Sequence, residues 1–279
     1  YVSLCWKIFR LVILIGISFI ILYPFVIKVS TMLMDKVDLM DTTVKYIPRN
    51  PTLDNILFVI RSVDYFSVLR NTFFLSAACA VLQSIICALI GYGIARFHFK
   101  GRGIVVAIIL FSIIVPPQSI MISMYTSFKD FDIFGLIQLI LGKPINMLDT
   151  PLPLLILSLT GFGFKNGLFI LIMFQFFKGV PNELEEAAYV DGANVFRTFH
   201  SILLPLAVPS MVTILLLSFS WQWTDSFYSS LFFSDFEVMS NLVFRTLEAA
   251  QQTVLVTYYS SALTNTAVIM IVLPLVIVY

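Results

Sequence analysis

Residues 181–205 have the sequence PNELEEAAYVDGANVFRTFHSILLP and separate two long apolar segments of the chain. Glutamates crowd the first turn after Asn182, where the helix dipole favours negative charge. Glu185 follows Asn182 at the spacing of a capping box. Gly192 is expected to end this helix, and residues 193–200 are expected to form a second one. The pattern therefore predicts two short helices, joined by a turn, that lie across the face of a membrane.

The composition is that of a protein embedded in a lipid bilayer. Of its 279 residues, 59% are hydrophobic and only 12% are charged, whereas soluble domains carry about 25% charged residues. The net charge of +1 gives no indication of a nucleic-acid partner. The three cysteines are expected to be small buried hydrophobic residues rather than disulfide or metal ligands. They are Cys5, Cys79 and Cys87.

Six segments are each long and apolar enough to cross a membrane as a helix, for which about 20 apolar residues are needed. The sequence therefore predicts an all-α membrane protein with a single transmembrane domain over 1–279. The segments lie near 11–34, 72–95, 104–128, 154–177, 202–221 and 262–279. The fourth is interrupted by a glycine-rich stretch at 161–167. The natural chain is expected to continue at both ends, because Tyr1 is not Met and the last segment is still apolar at Tyr279.

The basic residues indicate the orientation in the membrane. One side would hold seven Lys or Arg in about 40 residues, and the other side eight in about 100. The more basic side comprises 1–10, 96–103 and 178–201, and the other side comprises the outer loops 35–71, 129–153 and 222–261. The more basic side, which includes the N-terminus, is therefore predicted to be cytoplasmic. The basic cluster at 96–102 is interpreted as a positive-inside anchor.

One motif within 181–205 matches a known signature at every position. The order is Glu-Ala-Ala, three residues, Gly, nine residues, Ile, one residue and Leu-Pro. It resembles the EAA signature of permease subunits in ATP-binding-cassette importers. The resemblance implies that the segment 181–201 forms a coupling helix, between the fourth and fifth spans, that docks on a separate ATPase subunit. It assigns ATPase coupling to Glu186, Ala187, Ala188, Asp191, Gly192, Ile202, Leu204 and Pro205. We expect Gly192→Val or Glu186→Lys to leave the protein inserted but uncoupled.

The resemblance covers most of the chain, from about residue 20 to 275. Further matches, in order, are Asn71-Thr72, Gly91-Tyr92, the run 95–102, Pro116-Pro117, Gln175-Phe176-Phe177 and Trp221-Gln222-Trp223. Together they resemble the maltose-type permeases of the carbohydrate uptake subfamily. One departure is at Gln222-Trp223, where relatives commonly have Asn after the first Trp.

This resemblance implies a multi-pass subunit of the bacterial cytoplasmic (inner) membrane with the type I importer fold. The implied partners are a second, non-identical permease, two ATP-binding subunits and an extracellular or periplasmic solute-binding protein. The implied substrate is a sugar or an oligosaccharide. ATP and Mg would be used by the partner ATPase, and no cofactor or metal would be bound by this chain. The sequence has no phosphate-binding GxxxxGK[ST] loop, so we predict that the chain is not an enzyme.

Polar and aromatic residues in or beside the spans are candidates for the translocation pathway, because polar groups in a membrane are costly. The candidates are Lys165, Asn166, Gln118, Trp221 and Trp223. Each has a structural alternative. Lys165 could extend to water from the outer end of a span. Gln118, with Gln83 and Ser84, could hold helices together, and the tryptophans could form an interfacial belt.

Other functions stay open at this point. The segment 181–201 could rest on lipid headgroups, although an acidic first turn suits an anionic leaflet poorly. Within importers, an amino acid, a peptide or an ion is the alternative substrate. A channel that needs no ATPase would give flux from the chain alone. A membrane scaffold would give no flux in any combination of partners.

Overall fold

The computed structural model describes residues 2–251 and 256–278, with side chains over 4–251 and 259–278. Within these ranges the chain forms helices joined by short connections, with two isolated bridges, Met34–Pro51 and Phe131–Ile145, and no β-strand. In chain order the α-helices are α1 (Val2–Met32), α2 (Lys36–Met40), α3 (Asp54–Ser62), α4 (Tyr65–Arg96), α5 (Arg102–Ile114), α6 (Met121–Lys129), α7 (Leu136–Leu141), α8 (Leu152–Thr160), α9 (Asn166–Gly179), α10 (Glu183–Val190), α11 (Val195–Thr198), α12 (Leu204–Thr224), α13 (Phe227–Phe232), α14 (Leu242–Gln251) and α15 (Val256–Val278). Short 3₁₀ helices cover Pro117–Ile120 and Met239–Asn241, and a π-helical turn covers Phe199–Leu203.

The chain divides into two compact units. The first comprises Tyr1–Leu69 and Val238–Tyr279, and the second comprises Arg70–Glu237. The second unit therefore holds the whole of the 181–205 stretch and all the predicted pathway residues.

Polar side chains fasten the helices of the first unit to each other. Lys28 Nζ on α1 donates to Asn265 Oδ1 on α15 at 3.0 Å. The Tyr65 hydroxyl donates to the Met270 carbonyl at 2.9 Å, which joins the start of α4 to α15. The Asn55 amide on α3 donates to two carbonyls at and just beyond the end of α1. Such bonds matter in a bilayer, because lipid tails are as apolar as the helices and leave little hydrophobic driving force for packing.

The core of the second unit forms where α4, α9 and the start of α12 meet. Its buried side chains include Cys87, Ala88, Tyr92, Phe169, Met173, Phe177, Phe199, Leu203 and Ala207. Gly91 allows α4 and α9 to approach closely. A Cβ at this position would lie 2.6 Å from Met173 Cβ and 2.8 Å from the Phe174 backbone nitrogen. Small residues permit such backbone approach between membrane helices, so Gly91 sets the spacing of this helix pair.

A polar network crosses the interior of the same unit. Gln83 on α4 is 1% exposed, donates to Ser158 Oγ on α8 at 3.3 Å and accepts from Ser218 Oγ on α12. Ser84 Oγ donates to the Met211 carbonyl on α12 at 3.1 Å. These partners connect one helix to another. For Gln83 and Ser84 the structure therefore favours helix contact over a place in the pathway.

Among the described residues, four helical stretches are long and apolar enough to cross a membrane, and they coincide with the first, second, fifth and sixth predicted segments. They are Leu4–Met32, Tyr65–Arg96, Val195–Thr224 and Tyr259–Val278. The third segment, predicted near 104–128, differs from the prediction because it is not one straight helix. Its α5 meets the stretch Pro117–Lys129 at 99°. Pro117 disfavours helical backbone at Pro116, which is extended with φ −68° and ψ 135°.

The predicted interruption of the fourth segment is confirmed. α8 ends at Thr160 and α9 begins at Asn166, and left-handed backbone occurs between them at Gly161 and Lys165, with φ of +82° and +64°. The 14-residue α9 is shorter than a full membrane span. Tyr279, at the end of the last predicted segment, lies outside the described residues, as do residues 252–255 of the predicted outer loop 222–261.

The cysteines are free thiols. Cys79 and Cys87 are buried, as predicted. The prediction of burial is wrong for Cys5, which is exposed on the apolar surface of α1. The apolar neighbours of Cys5 in sequence indicated a hydrophobic environment. They did not indicate whether the side chain would lie inside the protein or on its apolar outer surface.

Candidate functional site

The predicted turn at Gly192 is formed, and its hydrogen bonds define a Schellman motif at the end of α10. The Ala193 N–H donates to the Ala188 carbonyl at 2.9 Å, and the Gly192 N–H donates to the Tyr189 carbonyl at 3.0 Å. These bonds satisfy carbonyls that the end of a helix leaves without partners. Gly192 has a φ of +79°, and a Cβ there would meet no atom within 4 Å. Glycine is therefore favoured at this position by its backbone conformation and not by a lack of space.

We expect Gly192→Val to open this turn and Gly192→Asn to preserve it. A left-handed residue costs about 1–2 kcal/mol for most side chains, whereas asparagine adopts that conformation more readily. In purified protein, limited proteolysis within 181–201 should be about tenfold faster in the valine variant than in the wild type. The asparagine variant should stay within about twofold of the wild type. Equal cleavage of the two variants would show that the backbone at 192 does not require glycine.

The predicted capping box at Asn182 and Glu185 is wrong. Asn182 has helical backbone, with φ −67° and ψ −28°, and its side chain does not cap α10. Both side chains instead turn to Arg96, the last residue of α4. The Arg96 Nη1 donates to Asn182 Oδ1, and Nη2 donates to the Val180 carbonyl at 2.6 Å. Glu185 Oε1 lies 2.7 Å from Arg96 Nε, off the direction of a hydrogen bond, so that contact is an ion pair.

The Ile-x-Leu-Pro end of the motif coincides with an irregular helical turn. The Leu204 N–H donates to the Phe199 carbonyl, five residues back, which is the pattern of a π-helix. Pro205 follows at once and has no N–H to donate. The chain nevertheless continues as one helical stretch over Val195–Thr224. Ile202 and Leu204 are half-buried and Pro205 is exposed.

The exposed part of the segment combines carboxylates with apolar side chains. Among the residues assigned to coupling, Glu186, Ala187, Asp191 and Gly192 are exposed, whereas Ala188 is buried. Two large apolar residues of the segment are also exposed, and Phe196 was not predicted from the sequence. Val190 is 87% exposed and Phe196 is 79% exposed. We call the set comprising Glu186, Ala187, Val190, Asp191 and Phe196 the 186–196 face. In the sequence, Phe196 is indicated only as an apolar residue that follows the Asp191-Gly192 turn.

A second group of predicted residues gathers at the break between α8 and α9. Lys165 is exposed, and its Nζ lies 5.3 Å from the centre of the Phe164 ring. Phe164 also contacts Trp221 and Tyr228 edge to face, at centroid distances of 6.4 and 5.8 Å. Trp221 in turn stacks on Phe169 at 5.4 Å. The structure therefore brings Lys165 and Trp221 to one aromatic cluster.

The remaining pathway candidates have different surroundings. Asn166 is 1% exposed, and its side-chain amide has no hydrogen-bond partner among the described residues. Trp223 is 1% exposed and packs on Phe219 at a centroid distance of 5.6 Å. Gln118 is exposed in the 3₁₀ helix at the bend of the third segment. Asn166 thus lies beside the aromatic cluster in sequence, whereas Gln118 lies at the bend of the third segment and Trp223 packs on Phe219.

Asp225 is a buried acid just after α12, and it precedes α13, which holds Tyr228. Burial raises the pKa of its carboxyl to about 6, while the Ser229 and Tyr228 N–H groups, at 3.2 and 3.1 Å from Oδ2, act in the opposite direction. The folded state thus holds the proton more tightly than the unfolded chain. Its contribution to stability is complete below about pH 4 and is lost as the pH rises through about 6.

We therefore expect Asp225→Asn to stabilise the protein at pH 8 by about 1–2 kcal/mol, because no buried carboxylate then forms. Near pH 4 the difference should vanish. Thermal unfolding of both proteins in detergent at the two pH values measures this. The measured quantity is the stability of the Asn variant minus that of the wild type. If this difference were smaller at pH 8 than at pH 4, Asp225 would not be a carboxyl whose ionisation destabilises the fold.

The helical membrane stretches and the exposed short-helix segment between two of them define a multi-pass membrane protein of the permease class. Residues 80–279 match the family of binding-protein-dependent transport system inner membrane components. The match covers more than half of the chain, and the chain belongs to this family. The family predicted from the EAA signature is thereby confirmed.

Similar proteins of known name include two sugar permeases. The chain is 26% identical over 220 residues to a probable starch degradation products transport system permease protein, AmyC, of Thermoanaerobacterium thermosulfurigenes, covering 78% of this chain and 72% of that protein. It is 28% identical over 181 residues to the trehalose transport system permease protein SugB of Mycobacterium tuberculosis, covering 65% and 60%.

A solved structure shows the same fold. It is a bacterial ABC transporter involved in the import of the acidic polysaccharide alginate, and the likeness has a TM-score of 0.73 at 21% sequence identity. It covers 99% of this chain and 94% of that chain. At this level of identity the likeness concerns the fold alone, and it confirms the predicted importer-permease architecture.

Proposed function

We propose that this chain is a permease subunit of an ATP-driven, binding-protein-dependent importer of carbohydrate. The observation that carries the proposal is the complete EAA signature formed as an exposed helix-turn-helix, with the 186–196 face available to a partner. The family to which the chain belongs supports a role in binding-protein-dependent transport. The proposed partners are a second, non-identical permease, two ATP-binding subunits and an external solute-binding protein. ATP and Mg would be used by the ATP-binding subunits.

The chemistry of the 186–196 face favours a protein partner over lipid headgroups. Glu186 and Asp191 would be repelled by an anionic inner leaflet, which attracts basic segments. Val190 and Phe196 expose apolar surface that a protein groove would bury. A groove with basic or backbone donors for Glu186 and an apolar pocket for Phe196 would fit both features. The segment is proposed to face the cytoplasm, on the same side as the N-terminus.

Transport is proposed to follow an alternating-access cycle. Closure of the ATP-binding subunits would move the 181–201 segment, and the helices packed on it would open the pathway to the outside. Such a shift requires that ATP and the loaded binding protein each bind one state more tightly than the other. Lys165 and Asn166 are proposed to line the pathway, since they lie at a break in a membrane helix, and Trp221 is proposed to line it because its ring contacts Phe164 at that break. Gln118 and Trp223 are retained as further pathway candidates.

Carbohydrate is proposed as the substrate class on two grounds. The names of the similar proteins refer to starch degradation products, trehalose and alginate. The exposed and half-buried rings near Lys165 supply flat apolar faces beside a polar cation, a combination that suits sugars. An amino acid, a peptide or an ion is the alternative substrate, and a channel or a scaffold is the alternative function.

The proposal is tested by purifying the tagged chain in a gentle detergent, identifying co-purified proteins by mass spectrometry and assaying the eluate for ATPase activity. We expect a second permease and an ATP-binding subunit, with ATP hydrolysis stimulated by a sugar-loaded binding protein. Recovery of the chain alone, without ATPase activity, would contradict the importer and require a direct flux assay for a channel. Stimulation by an amino-acid- or peptide-binding protein instead would replace the substrate class.

A further inference from the structure

We propose that Arg96 is a positioning residue that makes the end of α4 and the 181–201 segment move together. It would carry the movement of this segment to α4 and the helices that α4 contacts. This inference rests on the proposed coupling function. It assigns to Arg96 a role that a positive-inside anchor does not have.

The first argument is the number and direction of the Arg96 contacts. The guanidinium reaches three separate points of the segment: the Val180 carbonyl before α10, the Asn182 side chain at its start and the Glu185 carboxylate in its first turn. Guanidinium donors diverge in a fixed plane, so contacts made in this way determine orientation as well as distance. The start of α10 is therefore held in one position relative to the end of α4.

Burial provides the second argument. The side chains of Arg96 and Glu185 are only 9% and 11% exposed. A charge removed from water needs its partner, because separating the pair leaves an uncompensated charge in a poorly solvated place. Glu185 also lies 3.5 Å from the Tyr189 hydroxyl, within the same helix. Neighbouring acids thus have different roles: Glu185 faces inward to Arg96, and Glu186 faces outward.

The path beyond Arg96 is continuous within α4. Gln83 is 13 residues earlier on that helix, about 20 Å away at 1.5 Å per residue. Its side chain is bonded to Ser158 on α8 and Ser218 on α12. Between the two, Gly91 packs directly on the α9 backbone. A displacement of the α4 end would therefore reach three further helices of the second unit.

Arg102 provides a matched control, because it belongs to the same basic cluster. Its Nη2 donates to the Ala95 carbonyl at 3.3 Å, and its guanidinium lies 5.9 Å from the Phe174 ring centre. Neither contact involves the 181–201 segment. An anchor needs only positive charge, so lysine should serve at both positions if both are anchors. If Arg96 is the positioning residue, lysine at 96 should not hold the 181–201 segment in place, because lysine lacks the planar guanidinium with its several donors. Lysine at 102 should preserve function, since only a positive charge is needed there.

The experiment uses the assembled importer in vesicles and a reporter cysteine at Phe162, which is 74% exposed in the break between α8 and α9. Phe162→Cys is placed in a Cys5→Ser background with cysteine-free partner subunits, so that the other thiols of residues 1–279 are the buried Cys79 and Cys87. The probe is a membrane-impermeant methanethiosulfonate reagent, with and without ATP. We expect ATP to change the labelling rate about tenfold in this background and with Arg102→Lys, but less than twofold with Arg96→Lys. ATPase activity should stay within about twofold throughout.

Arg96→Gln, Glu185→Gln and the double variant Arg96→Gln/Glu185→Gln complete the test. The two single changes remove one shared interaction, so the double variant should lose no more of the ATP response than the worse single variant. The positioning role would be overturned if the double variant lost as much of the ATP response as the two single losses multiplied together. It would also be overturned by an unchanged ATP response with Arg96→Lys, or by failure of the variants to assemble. If the background protein itself fails to bind an ATP-binding subunit, the proposed function fails as well.

Discussion

Gly91→Val should prevent accumulation of the folded protein, whereas Gly93→Val should leave it near the wild-type level. A Cβ at position 91 would lie 2.6 Å from Met173 Cβ and 2.8–2.9 Å from backbone atoms of α9. Backbone cannot move aside as a flexible side chain can, so α4 and α9 would have to separate. Overpacking of a core typically costs about 1–3 kcal/mol and occasionally more. We expect the upper end here, a large part of the total stability of a typical domain.

Gly93 is the matched control because it lies two residues along the same helix, and a Cβ added there would meet no atom within 4 Å. Both variants change glycine to valine in α4, so helix propensity affects them equally. Size-exclusion chromatography of fluorescently tagged protein from solubilised membranes measures the folded fraction. Similar yields of the two variants would show that α4 and α9 are not packed as closely as described.

Phe196→Asp should weaken binding of the ATP-binding subunit about 100-fold. Phe196 is 79% exposed within the chain, and an aromatic residue that fills a pocket in a partner typically contributes about 2–4 kcal/mol or more. Replacing it with a carboxylate removes the apolar contact and adds a charge that would be buried without a partner. Binding is measured between the purified permease pair and the ATP-binding subunit, with uptake and ATP hydrolysis as secondary readouts.

Phe134→Asp is the control for this second prediction. Phe134 is 100% exposed in the connection between α6 and α7, on the side predicted to face outward. The same chemical change should therefore leave binding of the ATP-binding subunit unaffected. Equal binding by the Phe196 variant and the wild type would remove this residue from the proposed interface, and equal loss in both variants would indicate a general effect on folding.

Several features could be predicted because they depend on short stretches of sequence. Apolar runs locate helices in a membrane without knowledge of their neighbours. Gly192 predicts a helix end because few other residues adopt its backbone conformation. Pro116 and Pro117 mark the third segment in the sequence, but they do not predict its 99° bend. Proline removes a hydrogen bond and restricts its predecessor, whereas the new direction of the chain depends on packing.

The Arg96 contacts could not be predicted because they join residues far apart in sequence. Glu185 had a closer candidate partner at Asn182, and local spacing alone favoured that capping box. The ion pair with Arg96 formed instead because the fold brings the end of α4 beside α10. The two tryptophans illustrate the same limit. Trp221 is half-buried beside Phe169 and Trp223 is buried beside Phe219, a difference set by the rotation of α12.

A π-helical turn over Phe199–Leu203 lies directly before α12. A π-turn holds about one residue more than an α-turn. Inserting or deleting a residue outside that turn, in the regular helix before Trp221, would rotate the helix beyond the change by about 100° and shift it by about 1.5 Å. The side of α12 that carries Trp221 would then face a different neighbour. The number of residues between Gly192 and Ile202, which is nine, is therefore expected to matter more than their identity. We expect this part of the chain to tolerate substitution more readily than insertion or deletion.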